Sequence, residues 1–190
     1  QRLRPPLAAR RPPAGRFGEL YQRSPEVALE AAWLHHRLIA HELSAGGIDA
    51  DCAPCLDVRT TEGHGVIGDR AFCDRPAAVA ALGRAAVDGL LAGGVAPVVK
   101  HIPGHGRARA DSHQELPVVE APLPILEATD FEPFRALADA PMTMTAHVAY
   151  TAVDTDACAT VSRHVIGTVV RGAIGFDGLL MRDDLSMKAL

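Results

Sequence analysis

The sequence predicts an α/β protein whose strands form a parallel β-sheet with helices outside it. Apolar, strand-like runs alternate with segments of helical periodicity along the 190 residues. The run at 95–99 is almost continuously apolar, which is typical of a strand buried on both faces of a parallel sheet. Polar residues follow each predicted strand, and a TIM-type (β/α)8 barrel gathers all such strand ends around one mouth. We therefore favour the barrel over the alternative, an open doubly wound sheet.

The first helix is predicted from its start signal and its apolar spacing. Ser24 supplies a hydroxyl cap, and Pro25 lies in the first turn, where its missing N–H is tolerated. Helical spacing then continues to the glycine pair at 46–47, which ends the helix. The residues that carry the spacing are Val27, Ala31, Leu34 and Leu38.

The rest of the chain repeats the strand–helix cycle. A strand-like run at 48–58 precedes a helix that begins near 74–76 and ends at Gly93 and Gly94. After the strand at 95–99, the pattern predicts a weaker helix, a strand, a helix and a last strand, at 125–138, 142–146, 162–173 and 178–181. The second helix carries its apolar residues at Val79, Leu82, Val87 and Leu90.

These segments amount to about four strand–helix units, whereas a complete eight-unit barrel needs about 250 residues. The chain also begins with glutamine rather than methionine. We expect a single catalytic barrel domain over 1–190 that covers only the middle units and is incomplete at both ends.

Composition excludes several classes of protein. An apolar content of 48% and a charged content of 22% are those of an ordinary globular protein, and no apolar run approaches the roughly 20 residues that span a bilayer. The net charge of −4 gives no general attraction to nucleic acid or to an anionic membrane. The arginines of the first sixteen residues are interleaved with prolines, which favours an extended loop. We expect no nucleic-acid and no membrane partner, and the oligomeric state is not predicted.

The four cysteines do not form a disulfide scaffold in a chain of this size. Cys52 and Cys55 have the C-x-x-C spacing of a thioredoxin-like redox pair, but a strand-like run follows them where that fold has a helix. We therefore expect a cytoplasmic protein with reduced thiols.

The densest polar segment is Lys-His-Ile-Pro-Gly-His-Gly at 100–106, followed by Asp-Ser-His at 111–113. A phosphate-binding loop is disfavoured because the lysine precedes the glycines. His101, His105 and His113 could ligate a metal, although their spacing matches no standard metal motif. Alternatively, Asp111 could orient and activate His113 for acid–base chemistry near neutral pH.

A second polar signal is the aspartate doublet at 183–184, directly after a predicted strand. Adjacent carboxylates often serve as a helix cap and an ion-pair partner. At the end of a barrel strand, a carboxylate can instead supply a nucleophile.

Together these segments resemble the β-N-acetylhexosaminidases of glycoside hydrolase family 3. The resemblance rests on Lys-His-Ile-Pro-Gly-His-Gly, on Asp-Ser-His and on Asp-Asp-Leu-Ser-Met at 183–187. It extends to Ala-Pro-Cys-Leu-Asp-Val at 53–58, Ile-Gly-Asp-Arg-Ala-Phe at 67–72 and Met-Thr-Ala-His-Val at 144–148. The similarity therefore covers nearly the whole chain.

The resemblance implies a role for each of several residues. Asp183 is expected to be the nucleophile that forms a covalent glycosyl-enzyme, with His113 as the acid and base and Asp111 as its assistant. This departs from the usual pair of carboxylates in retaining glycosidases. Residues expected to line the sugar pocket are Arg70, Lys100, His101 and His147.

The expected activity is the release of terminal β-linked N-acetylglucosamine with retained configuration, from a muropeptide or a related glycoside, as in bacterial cell-wall recycling. No metal or organic cofactor is expected. The alternatives are a metal-dependent hydrolase that uses the histidine cluster and a non-catalytic sugar-binding relative.

Two features depart from the family pattern. The Asp-x-Glu-Gly-Gly-Arg segment that binds sugar hydroxyls in the family does not occur in these 190 residues. Arg182 occupies the position where the family commonly has a small hydroxyl residue, beside the expected nucleophile.

Overall fold

The computed structural model describes residues 10–61, 63, 65, 67–110, 112, 115–186 and 188. The α-helices are α1 Ala14–Arg23, α2 Pro25–Ala45, α3 Pro76–Ala92, α4 Leu123–Ala128 and α5 Glu132–Ala136. A 3₁₀ helix, Gly68–Arg70, and a π-helix, Val165–Ala173, complete the helical elements of this part of the chain. The strands are β1 Ala50–Asp51, β2 Ala96–Ile102, β3 Val118–Val119, β4 Met142–Thr145, β5 Ala149–Tyr150 and β6 Leu179–Met181.

Four strands form a parallel sheet in the order β1-β2-β4-β6. Lys100 of β2 lies opposite Met144 of β4, which in turn lies opposite Met181 of β6. The α/β class with a parallel sheet is therefore confirmed. Because the strands are parallel and aligned in this way, the chain leaves β2, β4 and β6 at one edge of the sheet.

Two strand boundaries differ from the prediction. The run at 48–58 contributes only β1 as a strand, and beyond it a single bridge joins Cys55 to Lys100. Pro54 has no N–H to donate, which interrupts the ladder on this segment. Strand β2 extends to Ile102, past the predicted end at 99, so that Lys100 and His101 lie within the strand rather than after it.

The first long helix is confirmed, but its predicted apolar face is wrong. Val27, Leu34 and Leu38 are each about half exposed, and the buried face consists of Ala28, Ala32, His36, Ala40 and Leu43. Small residues are buried here because α2 and α3 approach closely. A Cβ on Gly89 of α3 would lie 2.4 Å from the Trp33 carbonyl oxygen.

The three other predicted helices form with different boundaries, whereas α1 was not predicted and includes Arg16, for which an extended loop was expected. The residues predicted to form the apolar face of the second helix are all fully buried in α3: Val79, Leu82, Val87 and Leu90. The single helix predicted at 125–138 is two short helices, α4 and α5, separated by Thr129, Asp130 and Phe131. The helix predicted at 162–173 has π-type hydrogen bonding over Val165–Ala173.

The core lies between the sheet and its helices, with Leu56, Phe72, Ile102, Phe131 and Phe134 among its large buried side chains. All four cysteines are free thiols, and Cys52 is exposed while Cys55 is buried. Among the described helices, none combines the length and apolar character that crossing a membrane requires.

Candidate active site

The structure brings His101 and Asp183 together at the carboxyl end of the sheet. His101 is the second-last residue of strand β2, and Asp183 lies two residues beyond β6. Their Nε2 and Oδ2 atoms are 3.9 Å apart. Asp183 accepts a hydrogen bond from the N–H of Asp184 (2.9 Å), and its side chain is 28% exposed. Asp183 is therefore a carboxylate held at a strand end and open to a ligand.

Asp57 is buried beneath this pair and was not predicted as a site residue. Its Oδ1 accepts hydrogen bonds from the N–H groups of His101 (3.2 Å) and His105 (2.7 Å). Its Oδ2 accepts from His101 Nδ1 (2.7 Å) and from the Cys55 thiol (3.1 Å). Burial by itself raises the pKa of Asp57, but the two histidines and these hydrogen bonds outweigh it and hold the pKa below its ordinary value. Asp57 is thus a buried anion.

One signal in the sequence points to Asp57. It directly follows the apolar Cys55-Leu56 pair at the end of an extended run, the same position that drew attention to Asp183. What the sequence does not contain is its pairing with His101, because 44 residues separate the two.

The segment after β2 is fixed by contacts on several sides. His105 is buried, and its Nε2 lies 3.3 Å from the Ser112 hydroxyl. The Tyr150 hydroxyl donates to the Gly104 carbonyl. Arg107 pairs with the buried Asp130 at 2.7 Å. The loop that leads to Ser112 therefore starts from a well-anchored base.

The predicted acid–base pair, Asp111 and His113, lies outside the described residues. Ser112, between them in the sequence, is described and is buried. The roles of Asp111 and His113 remain predictions.

Arg70 and Lys100 line one cavity of ≈ 470 Å³, together with Asp69, Cys52 and Arg11. Arg70 ends the 3₁₀ helix and donates from Nε to the Ile67 carbonyl (3.3 Å). Both cations line this cavity, whereas His101, His147 and Asp183 are not among its lining residues. The contact of the two cations with a sugar remains a prediction.

His147 is 1% exposed and lies beneath the strand ends. Its Nε2 is 3.1 Å from the Asp184 carbonyl oxygen, and its Nδ1 is 2.6 Å from the Thr160 hydroxyl. A carbonyl only accepts, so Nε2 carries a hydrogen and donates to Asp184, while the Thr160 hydroxyl also lies within hydrogen-bond distance of the Ala146 carbonyl oxygen (3.1 Å). Both ring nitrogens are thus bonded to protein atoms. The predicted role of His147 in sugar binding remains a prediction, and this geometry instead ties it to the backbone beside Asp183.

Among the described residues, the ligand atoms of Cys55, Asp57 and His101 form one group within 4.8 Å that could hold a metal. This group differs from the predicted one, of which His113 is outside the described residues. The His101 and His105 rings contact each other edge to face, with centroids 5.6 Å apart. The Cys55 thiol and the His101 ring already hydrogen-bond Asp57, so a metal here requires these groups to lose protons. Burial raises the pKa of the Cys55 thiol well above its ordinary value, which opposes that loss.

The family is decided by the sequence profile described as "Glycosyl hydrolase family 3 N terminal domain", which matches residues 9–190. The chain belongs to glycosyl hydrolase family 3. The chain is 43% identical over 181 residues to a protein named beta-hexosaminidase from Xylella fastidiosa, and the match covers 94% of this chain and 53% of that protein. The chain spans about half the length of the curated relatives it matches.

Two solved structures of one protein are similar to this chain. Native NagZ from Neisseria gonorrhoeae superposes with a TM-score of 0.90 at 39% identity, over 98% of this chain and 55% of that one. The same NagZ in complex with N-trifluoroacetyl-D-glucosamine superposes with a TM-score of 0.87 at 39% identity, over 93% of this chain and 52% of that one.

Proposed function

We propose that the protein is a retaining β-N-acetylhexosaminidase that releases terminal β-linked N-acetylglucosamine. The observation that carries the proposal is the position of Asp183, a partly exposed carboxylate at a strand end whose Oδ2 lies 3.9 Å from His101 Nε2. An acyl-glycosyl intermediate needs such a carboxylate within reach of the anomeric carbon. Membership of family 3 and the beta-hexosaminidase relatives support the same assignment.

In the proposed reaction, an Asp183 oxygen attacks the anomeric carbon and forms a glycosyl ester. His113 gives its proton to the glycosidic oxygen, which leaves as the alcohol. His113, now neutral, then takes a proton from a water molecule, and the resulting hydroxide attacks the same carbon and frees Asp183. Two inversions give net retention. Asp111 holds the His113 tautomer and stabilises its charged form.

The proposed substrate carries an N-acylated glucosamine at its non-reducing end. The support is the complex of NagZ with N-trifluoroacetyl-D-glucosamine, a protein that this chain resembles over 93% of its length. Arg70 and Lys100 bring donors to one cavity, as recognition of hydroxyl and carbonyl oxygens requires. The resemblance to cell-wall-recycling enzymes extends the proposal to muropeptides of peptidoglycan.

We also propose a TIM-type barrel as the complete fold and the cytoplasm as the location. The four parallel strands follow one another in chain order, as barrel strands do, whereas a doubly wound sheet reverses its order at a switch point. Four free thiols are consistent with a reducing compartment.

The test is hydrolysis of an aryl β-N-acetylglucosaminide by the complete protein in which these residues occur. Proton NMR of the first turnovers is expected to show the β-anomer of N-acetylglucosamine before mutarotation, because the mechanism retains configuration. The Asp183→Ala variant is expected to lose at least about 10⁴-fold in kcat, because the nucleophile is gone.

The matched control is Asp184→Asn, which changes the neighbouring carboxylate but keeps the oxygen that accepts from the N–H and hydroxyl of Ser186. It is expected to retain most of the turnover. Near-native rates in Asp183→Ala, or the α-anomer as first product, would contradict the proposal. Binding of N-acetylglucosamine without any turnover would point to a non-catalytic relative.

The second candidate is a metal-dependent hydrolase, favoured by the grouping of Cys55, Asp57 and His101. Dialysis against a chelator separates the two. The glycosidase proposal expects unchanged turnover after chelation. Loss of turnover that added zinc restores would favour the metal enzyme.

A further inference from the structure

The buried carboxylate of Asp57 accepts hydrogen bonds from two histidines that belong to different parts of the site. Its side chain is fully buried, and each oxygen accepts two hydrogen bonds. The two oxygens bind different histidines. Oδ2 accepts from the ring of His101, whereas the shorter bond to Oδ1 comes from the backbone N–H of His105. The two histidines lead to different parts of the site.

We infer that Asp57 is a positioning residue with two tasks. It holds the ring of His101 toward Asp183, and it anchors His105 at the start of the loop that contains Ser112. This inference rests on the proposed function, since it assigns Asp57 a task in the same glycosidase site. Asp57 itself touches neither substrate nor the reacting atoms.

The first arm of the inference concerns the tautomer of His101. A carboxylate only accepts, so the hydrogen of the ring lies on Nδ1, which is 2.7 Å from Asp57 Oδ2. In the neutral ring, Nε2 then presents a lone pair toward Asp183, 3.9 Å away. This lone pair can accept from a substrate hydroxyl that lies beside His101 and Asp183. Asp57 therefore decides whether His101 accepts from, or donates to, a group beside the nucleophile.

The second arm concerns the loop that carries the expected acid–base pair. The N–H of His105 donates to Asp57 Oδ1 at 2.7 Å, and the His105 ring reaches the Ser112 hydroxyl at 3.3 Å. Burial lowers the pKa of His105, so its ring is neutral at pH 7. His105 Nδ1 is buried and has no hydrogen-bond partner among the described residues. The hydrogen bond between Nε2 and the Ser112 hydroxyl forms in either neutral tautomer, because the hydroxyl can accept or donate. Asp111 and His113 flank Ser112 in the sequence, so this contact connects Asp57 to their loop.

The test is Asp57→Asn in the complete protein, read by ¹⁵N NMR of the histidine rings and by kinetics. The asparagine oxygen keeps the two backbone hydrogen bonds, while its amide nitrogen donates to His101 Nδ1. The His101 hydrogen is thereby expected to move from Nδ1 to Nε2. We expect kcat to fall at least about 10²-fold with KM changed only a few-fold, because the wrong ring atom then faces Asp183.

The control is Asp139→Asn, the same change at a carboxylate that pairs with Arg84 of α3 and belongs neither to the site nor to the loop after β2. It is expected to keep the Nδ1–H tautomer of His101 and most of kcat. Ser112→Ala tests the second arm and is expected to lower kcat while leaving the His101 tautomer unchanged.

The inference is overturned if the neutral His101 ring of the unsubstituted protein carries its hydrogen on Nε2, a measurement that does not depend on whether any variant folds. It is also overturned if folded Asp57→Asn keeps kcat within a few-fold. Failure of the proposed function is distinguishable, because it appears as absent hydrolysis in the unsubstituted protein, whatever the tautomer.

Discussion

The close approach of Gly106 to Val58 predicts that Gly106→Ala damages the site. A Cβ on Gly106 would lie 1.8 Å from the Val58 carbonyl oxygen and 2.7 Å from the carbonyl carbon. Ordinary carbon–oxygen contact begins near 3.4 Å, so the two segments must separate by roughly 1.6 Å. Both contact atoms belong to backbone, which cannot turn aside as a flexible side chain can.

The magnitude follows from the hydrogen bonds that this separation breaks. The His105 N–H lies 2.7 Å from Asp57 Oδ1, and a shift of this size carries it out of hydrogen-bond range. Losing a bond to a charged acceptor costs about 1.5–3 kcal/mol, and the contact between Thr60 Oγ1 and the Gly106 carbonyl (3.3 Å) adds up to about 1 kcal/mol. We expect the free energy of unfolding to fall by about 2–4 kcal/mol, with a decrease in Tm of about 5–15 °C for a domain of this size.

Gly65→Ala is the matched control, because a Cβ on Gly65 meets no atom of the described residues within 4 Å. Both variants are compared by denaturant unfolding and by turnover of the aryl glycoside. The reasoning is refuted if Gly106→Ala unfolds within about 0.5 kcal/mol of Gly65→Ala and turns over substrate at the same rate.

Three further predictions concern stability. Burial lowers the pKa of His35 to about 4, so the unfolded chain binds a proton on this residue that the folded chain does not, and stability is lost as the pH falls from 6.5 to 4. In His35→Leu, the free energy of unfolding should fall by about 1–2 kcal/mol less over this pH range than in the unsubstituted protein, a figure already reduced for partial exposure of the ring. Equal dependence of the unfolding free energy on pH in both proteins would contradict this. Tyr150→Phe leaves the buried Gly104 carbonyl without its donor and should cost about 1–2 kcal/mol in thermal unfolding, whereas an unchanged Tm would exclude the contact. Thr160→Val removes the hydroxyl that bonds His147 and should cost about 1–3 kcal/mol, while Thr160→Ser, which keeps it, should cost less than half as much.

Much of the fold could be predicted because it depends on local patterns. The apolar run at 95–99 leads into β2, with Val95, Val98 and Val99 buried, and the periodic residues of α3 are fully buried. The buried face of α2 could not be predicted in the same way. Large apolar residues normally mark the core face, but here the closeness of α3 at Gly89 selects alanines instead. That closeness is a property of two helices, which the spacing within one of them does not contain.

The candidate site was predictable where it depends on strand ends. Parallel strands bring their carboxyl ends together, so His101 and Asp183 were expected to be near each other although 82 positions separate them in the chain. The hydrogen bonds of Asp57 to His101 and His105 form only when separate segments of the chain pack together. No pattern within one segment of the sequence predicts them. The same holds for His147, whose ring nitrogens are bonded to Thr160 and to the backbone of Asp184.

The central claim is that Asp183 carries the sugar in a covalent intermediate. The most direct measurement is trapping of that intermediate with a fluorinated N-acetylglucosaminyl donor that forms the ester quickly and hydrolyses slowly, followed by proteolysis and tandem mass spectrometry. The account predicts a single glycosyl adduct on Asp183, absent from the Asp183→Ala variant. An adduct on Asp184 or another residue, or full turnover of the donor with no ester formed, would contradict it.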